Sequence, residues 1–448
     1  MVWHRAANDR DGVKVVAASV LALVLAARSA PSQTSASVAA EDSAGVARAA
    51  WNRALDAIRR RDLVSARHEV DHAAAAWPVQ ETYVWYSALL ASRASDTAAV
   101  ISALRRYADL GLGRDVLSDT GLAKLVALPA IADVRRHLDA NRAPLARGRV
   151  YATMPDTAFW PEGMDVDTAS GRVFVTSMRY GTIAEVSANG RVREIMPRGA
   201  PNVGSMFGVR FDAQRSVLWA TTSGTPNAER YTPADSGIAA LLEVRPSDGV
   251  ILRRFDLAPI PGGHILGDLA IGPSGDVYVT DSNEPVLYRL RPGAAKLEPL
   301  RDPLFHSLQG VAPTPDGRAL IVADYSHGLL RVDLATNSVV RLADAPGSTS
   351  LGCDGLVWAR DGVIAVQNGV APPRVARFQL DVALSRVQSV KVLDRNPAVA
   401  DEPTIGALLR GEFLYVANGQ WDKHAPDGTR LPGAQLRPPV ILAVSVGR

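Results

Sequence analysis

The sequence predicts an all-β six-bladed β-propeller preceded by a small all-α, tetratricopeptide-like helical domain. Two observations carry the propeller. One short pattern, a turn residue opening an apolar strand followed by a second strand, recurs six times. Its copies begin at residues 162, 207, 268, 309, 354 and 404, spaced by 45, 61, 41, 45 and 50 residues. Repeats of roughly 40–50 residues, each holding several strands, are the spacing of propeller blades. The clearest copy spans residues 308–334. There Asp316-Gly317 separates two apolar runs, a strong hairpin signal, and Ala319 to Ala323 reads as a strand buried on both faces. A third observation carries the helical domain: over residues 42–140 alanine, leucine and arginine rise and strand alternation disappears.

The chain has 448 residues, enough for two domains and a targeting segment. Its 49 basic and 46 acidic residues leave a net charge of +3, scattered rather than striped, so no nucleic-acid partner is expected. Cys353 is the one cysteine, which excludes an intramolecular disulfide and reads as a small buried thiol.

In chain order, Arg5, Arg10 and Lys14 precede an apolar run, Val15 to Ala27, followed by small residues. This is the layout of a signal peptide over 1–36, with cleavage after Ala36 or Ala39. The run is short for a membrane span. The expectation is an exported chain, periplasmic or extracellular, without a membrane span after cleavage; an uncleaved anchor is the alternative.

Ala66, Val70, Ala73 and Pro78 then fit the second helix of a tetratricopeptide repeat. Further helices are expected over Glu81 to Ser92, Asp96 to Leu110, Gly121 to Val126 and Ala130 to Asn141. Such helix pairs commonly present a surface to a protein partner. His68-Glu69-Val70-Asp71-His72 spells H-E-x-x-H, the helix signature of zinc proteases. The buried face marked by Ala66, Val70 and Ala73 puts both histidines on the solvated side, and Pro78 ends the helix early, so a zinc centre is not expected there.

The propeller is expected over 149–448. Arg149 to Met154 has no repeat of its own and would pair beside Val440 to Val446, closing the ring. The first strand of each blade lines the axis. Its opening residues are Glu162, Phe207, Asp268, Gln309, Asp354 and Thr404, with no lysine or arginine among them. Carboxylates and an amide oxygen converging in a partly dry channel call for a cation or for bridging waters. Hard oxygen ligands suit calcium, with magnesium or zinc as alternatives. Loops at the same face include Arg179-Tyr180, Asn283-Glu284, Tyr325-Ser326-His327 and Asn368-Gly369. Two long ones, Gly224 to Ser236 and Gly419 to Pro439, would form a rim or lid for a small-molecule substrate or ligand. His264, His306 and His327 lie near that face and are candidate bases, as is Asp268. No G-x-S-x-G elbow and no phosphate-binding G-x-x-x-x-G-K-[ST] occurs, which removes support for covalent serine chemistry or nucleotide hydrolysis.

Six such blades, with Glu162-Gly163 opening the first and Asp354-Gly355 the fifth, resemble the senescence marker protein/gluconolactonase (regucalcin-like) family over roughly residues 150–448. The resemblance implies a divalent cation held in the channel by a Glu, two Asn and an Asp, and hydrolysis of sugar lactones or related esters. Glu162 and Asp354 match the family's acids. Gln309-Gly310 stands where Asn-Gly is usual, and Gly267-Asp268 where Asn-Asp is usual. The implied metal set in this chain is therefore Glu162, Asp268, Gln309 and Asp354, and the candidate catalytic residues are His306, His327 and Asp268. The implied activity is a metal-dependent lactonase or esterase; the alternative is a non-catalytic scaffold that binds a ligand or a protein.

Overall fold

The computed structural model describes residues 43–447, so the expected signal segment lies outside the described residues. Among the described residues no helix is long and apolar enough to cross a membrane. The chain divides into two compact units, with the boundary between Ala143 and Pro144.

The first unit is helical: α1 (Ser43–Arg59), α2 (Leu63–Ala76), α3 (Glu81–Arg93), α4 (Thr97–Asp109), the short α5 (Thr120–Ala123) and α6 (Pro129–Arg142). Asp62 and Asp96 cap α2 and α4, each accepting at 3.0 Å from a backbone N–H three residues on. Pro129 starts α6 in the first turn, where its missing N–H costs nothing. Ala66, Val70 and Ala73 are fully buried, and Trp51 of α1 packs against Tyr83 and Tyr86 of α3. Small residues on α2 let its neighbours approach. His68 and His72 are exposed, as the periodicity requires, so the H-E-x-x-H stretch is a solvated face.

The second unit is the propeller, six four-stranded antiparallel sheets. The first strands of the blades are β2 (Pro161–Asp167), β6 (Ser205–Asp212), β10 (Leu266–Ile271), β14 (Leu308–Pro313), β18 (Leu356–Ala359) and β22 (Gly406–Leu409). Each touches the next, and β2 touches β22, which closes the ring around the axis. The last blade runs β1 (Arg149–Thr153), β24 (Val440–Ser445), β23 (Glu412–Val416), β22. The pairing of β1 with β24 joins the two ends of the domain and leaves no open edge in the ring.

Apolar clusters fill the spaces between adjacent blades, for example Phe174, Met206, Leu218 and Leu242 between blades one and two. A second device ties blade to blade. Thr176, Thr221 and Thr280, on second strands, donate their hydroxyls to Phe207 O, Leu266 O and Gln309 O of the following blade's first strand. Each satisfies a backbone carbonyl in a dry interior, where leaving it unpaired would be costly.

Candidate functional site

Four of the first strands carry a register shift at their start, between Pro161 and Met164, Met206 and Val209, Leu266 and Leu269, and Leu308 and Val311. Such bulges re-aim a side chain. Here they fall on Glu162, Phe207, Asp268 and Gln309. The glycine that follows three of these residues is required by packing: a Cβ at Gly163 would lie 2.1 Å from Phe207 O, and one at Gly310 would lie 2.3 Å from Asp354 O. The strands can meet around the axis only because those side chains are absent.

All six opening residues are buried. They do not share one role. Thr404 donates its hydroxyl to Glu162 O at 2.8 Å and serves as a strut. Phe207 packs with Trp160 and Met178 in a small apolar cluster.

Asp268 meets a partner that the six aligned positions conceal. Arg210, three residues beyond Phe207 on β6, reaches it with Nη2 at 3.0 Å from Oδ1 and 3.2 Å from Oδ2. The guanidinium also donates to Met164 O and Val209 O. The expectation of a ring without a compensating cation is therefore corrected at this position. Burial pushes the Asp268 carboxyl up, and Arg210 opposes the rise.

Glu162 and Asp354 have no such partner. Glu162 accepts from Trp421 Nε1 at 2.8 Å, and Asp354 accepts from Asn368 Nδ2 at 2.7 Å. No ion pair with a basic side chain involves either among the described residues. Burial drives Glu162 well above the usual carboxylate range, and the Asp354 charge adds to the rise. Asp354 is raised to about 7, chiefly by burial. Glu402, half-buried two residues before Thr404, joins them: burial and the charges of Asp422 and Asp354 raise it to about 8. Gln309 is 5% exposed, and its side-chain amide makes no hydrogen bond among the described residues. Its Oε1 lies 3.5 Å from where a Cβ on Gly267 would sit, so the amide faces the neighbouring blade.

The two long loops cover this end. Residues 417–439 carry Trp421, which crosses Trp160 edge-on at a 5.3 Å centroid separation, and His424, which stacks on Trp160 at 3.8 Å. Residues 224–238 meet them at the tip, where a Cβ on Gly428 would lie 2.2 Å from Pro226 O.

The three histidines occupy two places. His264 is buried, with Nδ1 against Asp281 Oδ2 at 2.5 Å and Nε2 against Ala258 O at 3.0 Å, so both ring nitrogens are engaged. His306 and His327 lie together, ring centroids 4.1 Å apart, at one end of blade four. Cys353 is fully buried and its thiol is pushed up by burial, which fits an inert packing role.

Arg210, Asn368, Glu402 and Trp421 were not among the site residues expected from the sequence. Asn368 follows the second strand of blade five and Trp421 sits in the long loop; the sequence places both segments at this face but does not mark either side chain as a partner of the ring acids. Arg210 lies on an inner strand but three residues beyond the aligned position.

No protein-family model and no curated protein matches the chain. Solved structures similar to the chain include proteins of the regucalcin, gluconolactonase and streptogramin B lyase kinds. The chain is similar to regucalcin, a calcium-binding protein from Agrobacterium tumefaciens, with 15% identity over 67% of this chain and 96% of that one and a TM-score of 0.45. It is similar to a gluconolactonase from Xanthomonas campestris, with 15% identity over 68% and 92% and a TM-score of 0.43. It is similar to a virginiamycin B lyase from Staphylococcus aureus, with 14% identity over 60% and 80% and a TM-score of 0.42.

Proposed function

We propose that the chain is an exported propeller protein that binds a divalent cation, calcium first, at the covered end of its channel and hydrolyses a lactone or ester there. One observation carries this reading: two buried and electrostatically coupled carboxylates, Glu162 and Asp354, lack a basic partner among the described residues, and the Gln309 amide, which makes no hydrogen bond there, opens the first strand of blade four. A hard cation neutralises both acids and takes an amide oxygen as a further ligand. The donor set therefore fits the ion. Asp268 is a weaker ligand than its position promises, because Arg210 already neutralises it. When bound, the cation would polarise a carbonyl oxygen and a water. Glu402 is the acid–base candidate of this reading: burial and the charges of Asp422 and Asp354 raise its carboxyl to about 8. Asn368 orients Asp354, and the Trp421 loop excludes water from the covered site.

A second reading, a non-catalytic binding module, draws on that same cover: Trp160 and Phe207 are 1% exposed, so a substrate enters only if the loop moves. In that reading the helical unit docks a protein partner.

The test is a screen of lactones and aryl esters with calcium and with EDTA, run on the wild type and on Glu162→Gln. The hydrolase reading predicts turnover that needs calcium and is lost in the variant. Turnover that survives Glu162→Gln contradicts it, and calcium binding without turnover of any ester favours the binding module.

A further inference from the structure

We propose that a basic cleft at the seam where the ring closes binds a small phosphate-class oxyanion. The cleft, about 200 Å³, is lined by Arg147, Lys391, Leu393, Val444, Ser445 and Gly447. A water takes about 30 Å³ of the liquid, so there is room for a polyatomic ion. Three segments bring the lining together. Arg147 lies two residues before β1. Lys391 and Leu393 stand on β21 (Val387–Arg395), the outermost strand of blade five, and Val444 and Ser445 end β24 of blade six. Ser445 pairs with Glu412, the first residue of β23, whereas Ile441 pairs with Val416, next to the loop that covers Glu162. The cleft therefore sits at the opposite end of the blade from the candidate cation site.

The charge here is unbalanced. Elsewhere on the outer strands a guanidinium meets a carboxylate: Arg253 meets Glu243 in blade two, Arg289 meets Asp276 in blade three and Arg377 meets Asp361 in blade five. Among the described residues neither Arg147 nor Lys391 forms an ion pair, and no acid lines the cleft. Asp394, on β21, accepts from the backbone N–H groups of Arg147, Gly148 and Arg395 and from the Tyr415 hydroxyl. Those four bonds use its lone pairs, so it fixes the linker that carries Arg147 without pairing the guanidinium. Arg360 donates to Gly447 O at 3.1 Å and brings a third positive charge to the rim. Burial and the charge of Arg147 together lower Arg395, at the end of β21, from its ordinary value.

Three cations and a hydroxyl, with no acid among them, suit a multiply charged oxyanion. A phosphate group carries about −1.5 to −2 at pH 7 and three acceptor oxygens, whereas a carboxylate carries a single charge. The planar fork of Arg147 matches two phosphate oxygens, and Lys391 supplies a point charge. Ser445 Oγ already accepts from Gly447 N–H at 3.3 Å, which leaves its O–H to donate. Free phosphate and the head of a phosphate ester share this chemistry.

Titration calorimetry in EDTA with inorganic phosphate and with phenyl phosphate tests the proposal, with benzoate as the singly charged control. Every protein compared carries the same neutral extension after Arg448, so the terminal carboxylate does not compete. Binding of either phosphate supports the proposal, and the tighter of the two names the source. We expect one anion per chain, bound more tightly than benzoate and more weakly as salt rises. Arg147 and Lys391 are exposed, so their substitutions leave the packing intact. Arg147→Gln and Lys391→Gln should each weaken binding about tenfold or more. Glu162→Gln, and Arg191→Gln on the exposed surface of blade one, should leave it unchanged. No phosphate bound by the unsubstituted chain, benzoate bound as tightly, or an equal effect of Arg191→Gln and Lys391→Gln would overturn the proposal.

Discussion

Trp421 donates its indole N–H to Glu162 Oε2 across 2.8 Å, joining the long loop of the last blade to the carboxylate that opens the first. The two residues are far apart in the chain, and the ring closure brings them together. The bond makes the cover over the channel answer to the state of the acid beneath it.

Trp421→Phe keeps an aromatic ring against Trp160 and removes only the donor. The expected cost is about 1–2 kcal/mol in denaturant unfolding. Amide exchange over residues 419–434 should quicken while that of the inner strands stays unchanged. Unchanged exchange in the loop would show that the bond does not hold the cover.

The buried acids give the metal-free protein a characteristic pH dependence. Asp354 and Glu402 are raised in the folded state to about 7 and about 8, against about 3.9 and 4.3 in the unfolded chain. Above pH 4 the unfolded state sheds protons that the folded state keeps. Stability is therefore full below pH 4 and falls as pH rises through 7 to 8. Midpoints measured from pH 5 to 8.5 in EDTA should drop more steeply for the wild type than for Asp354→Asn. Saturating calcium should flatten the wild-type curve. Equal slopes for the two proteins would contradict the assignment.

Arg210 and Asp268 form a buried ion pair, for which removing one partner is far worse than removing both. Arg210→Met should cost about 3–5 kcal/mol. Adding Asp268→Leu to it should recover much of that loss, as measured by a double-mutant cycle in urea. Additive costs would mean that the pair is not coupled.

Gln309 offers a test that separates binding from folding. Its amide makes no hydrogen bond among the described residues, so Gln309→Leu should change stability in EDTA by no more than about 1 kcal/mol. The same change should weaken calcium binding about tenfold or more. A loss of stability without a loss of affinity would make Gln309 an ordinary packing residue.

The propeller was legible because each blade repeats one physical problem: an inner strand that must approach its neighbours and a second strand buried on both faces. The residue-glycine pairs at 162–163, 309–310 and 354–355 solve the approach, which is why they recur. That glycine is consequently a mark of the fold, and only the residue before it bears on chemistry. The helices were legible from the rise of alanine, leucine and arginine and from the small buried face at Ala66, Val70 and Ala73. The partners of the ring were not. Arg210 reaches Asp268 from another blade, Trp421 arrives on a long loop with no periodicity, and Glu402 is set by strand ends that the repeat does not register. His306 and His327 were singled out separately as bases; their proximity depends on a turn pinned by Asp324, whose role is invisible until the backbone closes around it.

The central claim is that Glu162, Asp354 and Gln309 hold a divalent cation. Thermal unfolding of the purified protein in EDTA and then in excess calcium tests it most directly. An ion at about 100 times its dissociation constant stabilises by roughly 2.7 kcal/mol. In a domain of this size the midpoint should rise by several degrees, on the order of 5 °C, and the rise should vanish in Glu162→Gln. An unchanged midpoint in calcium, with no metal carried by the purified protein, would contradict the account.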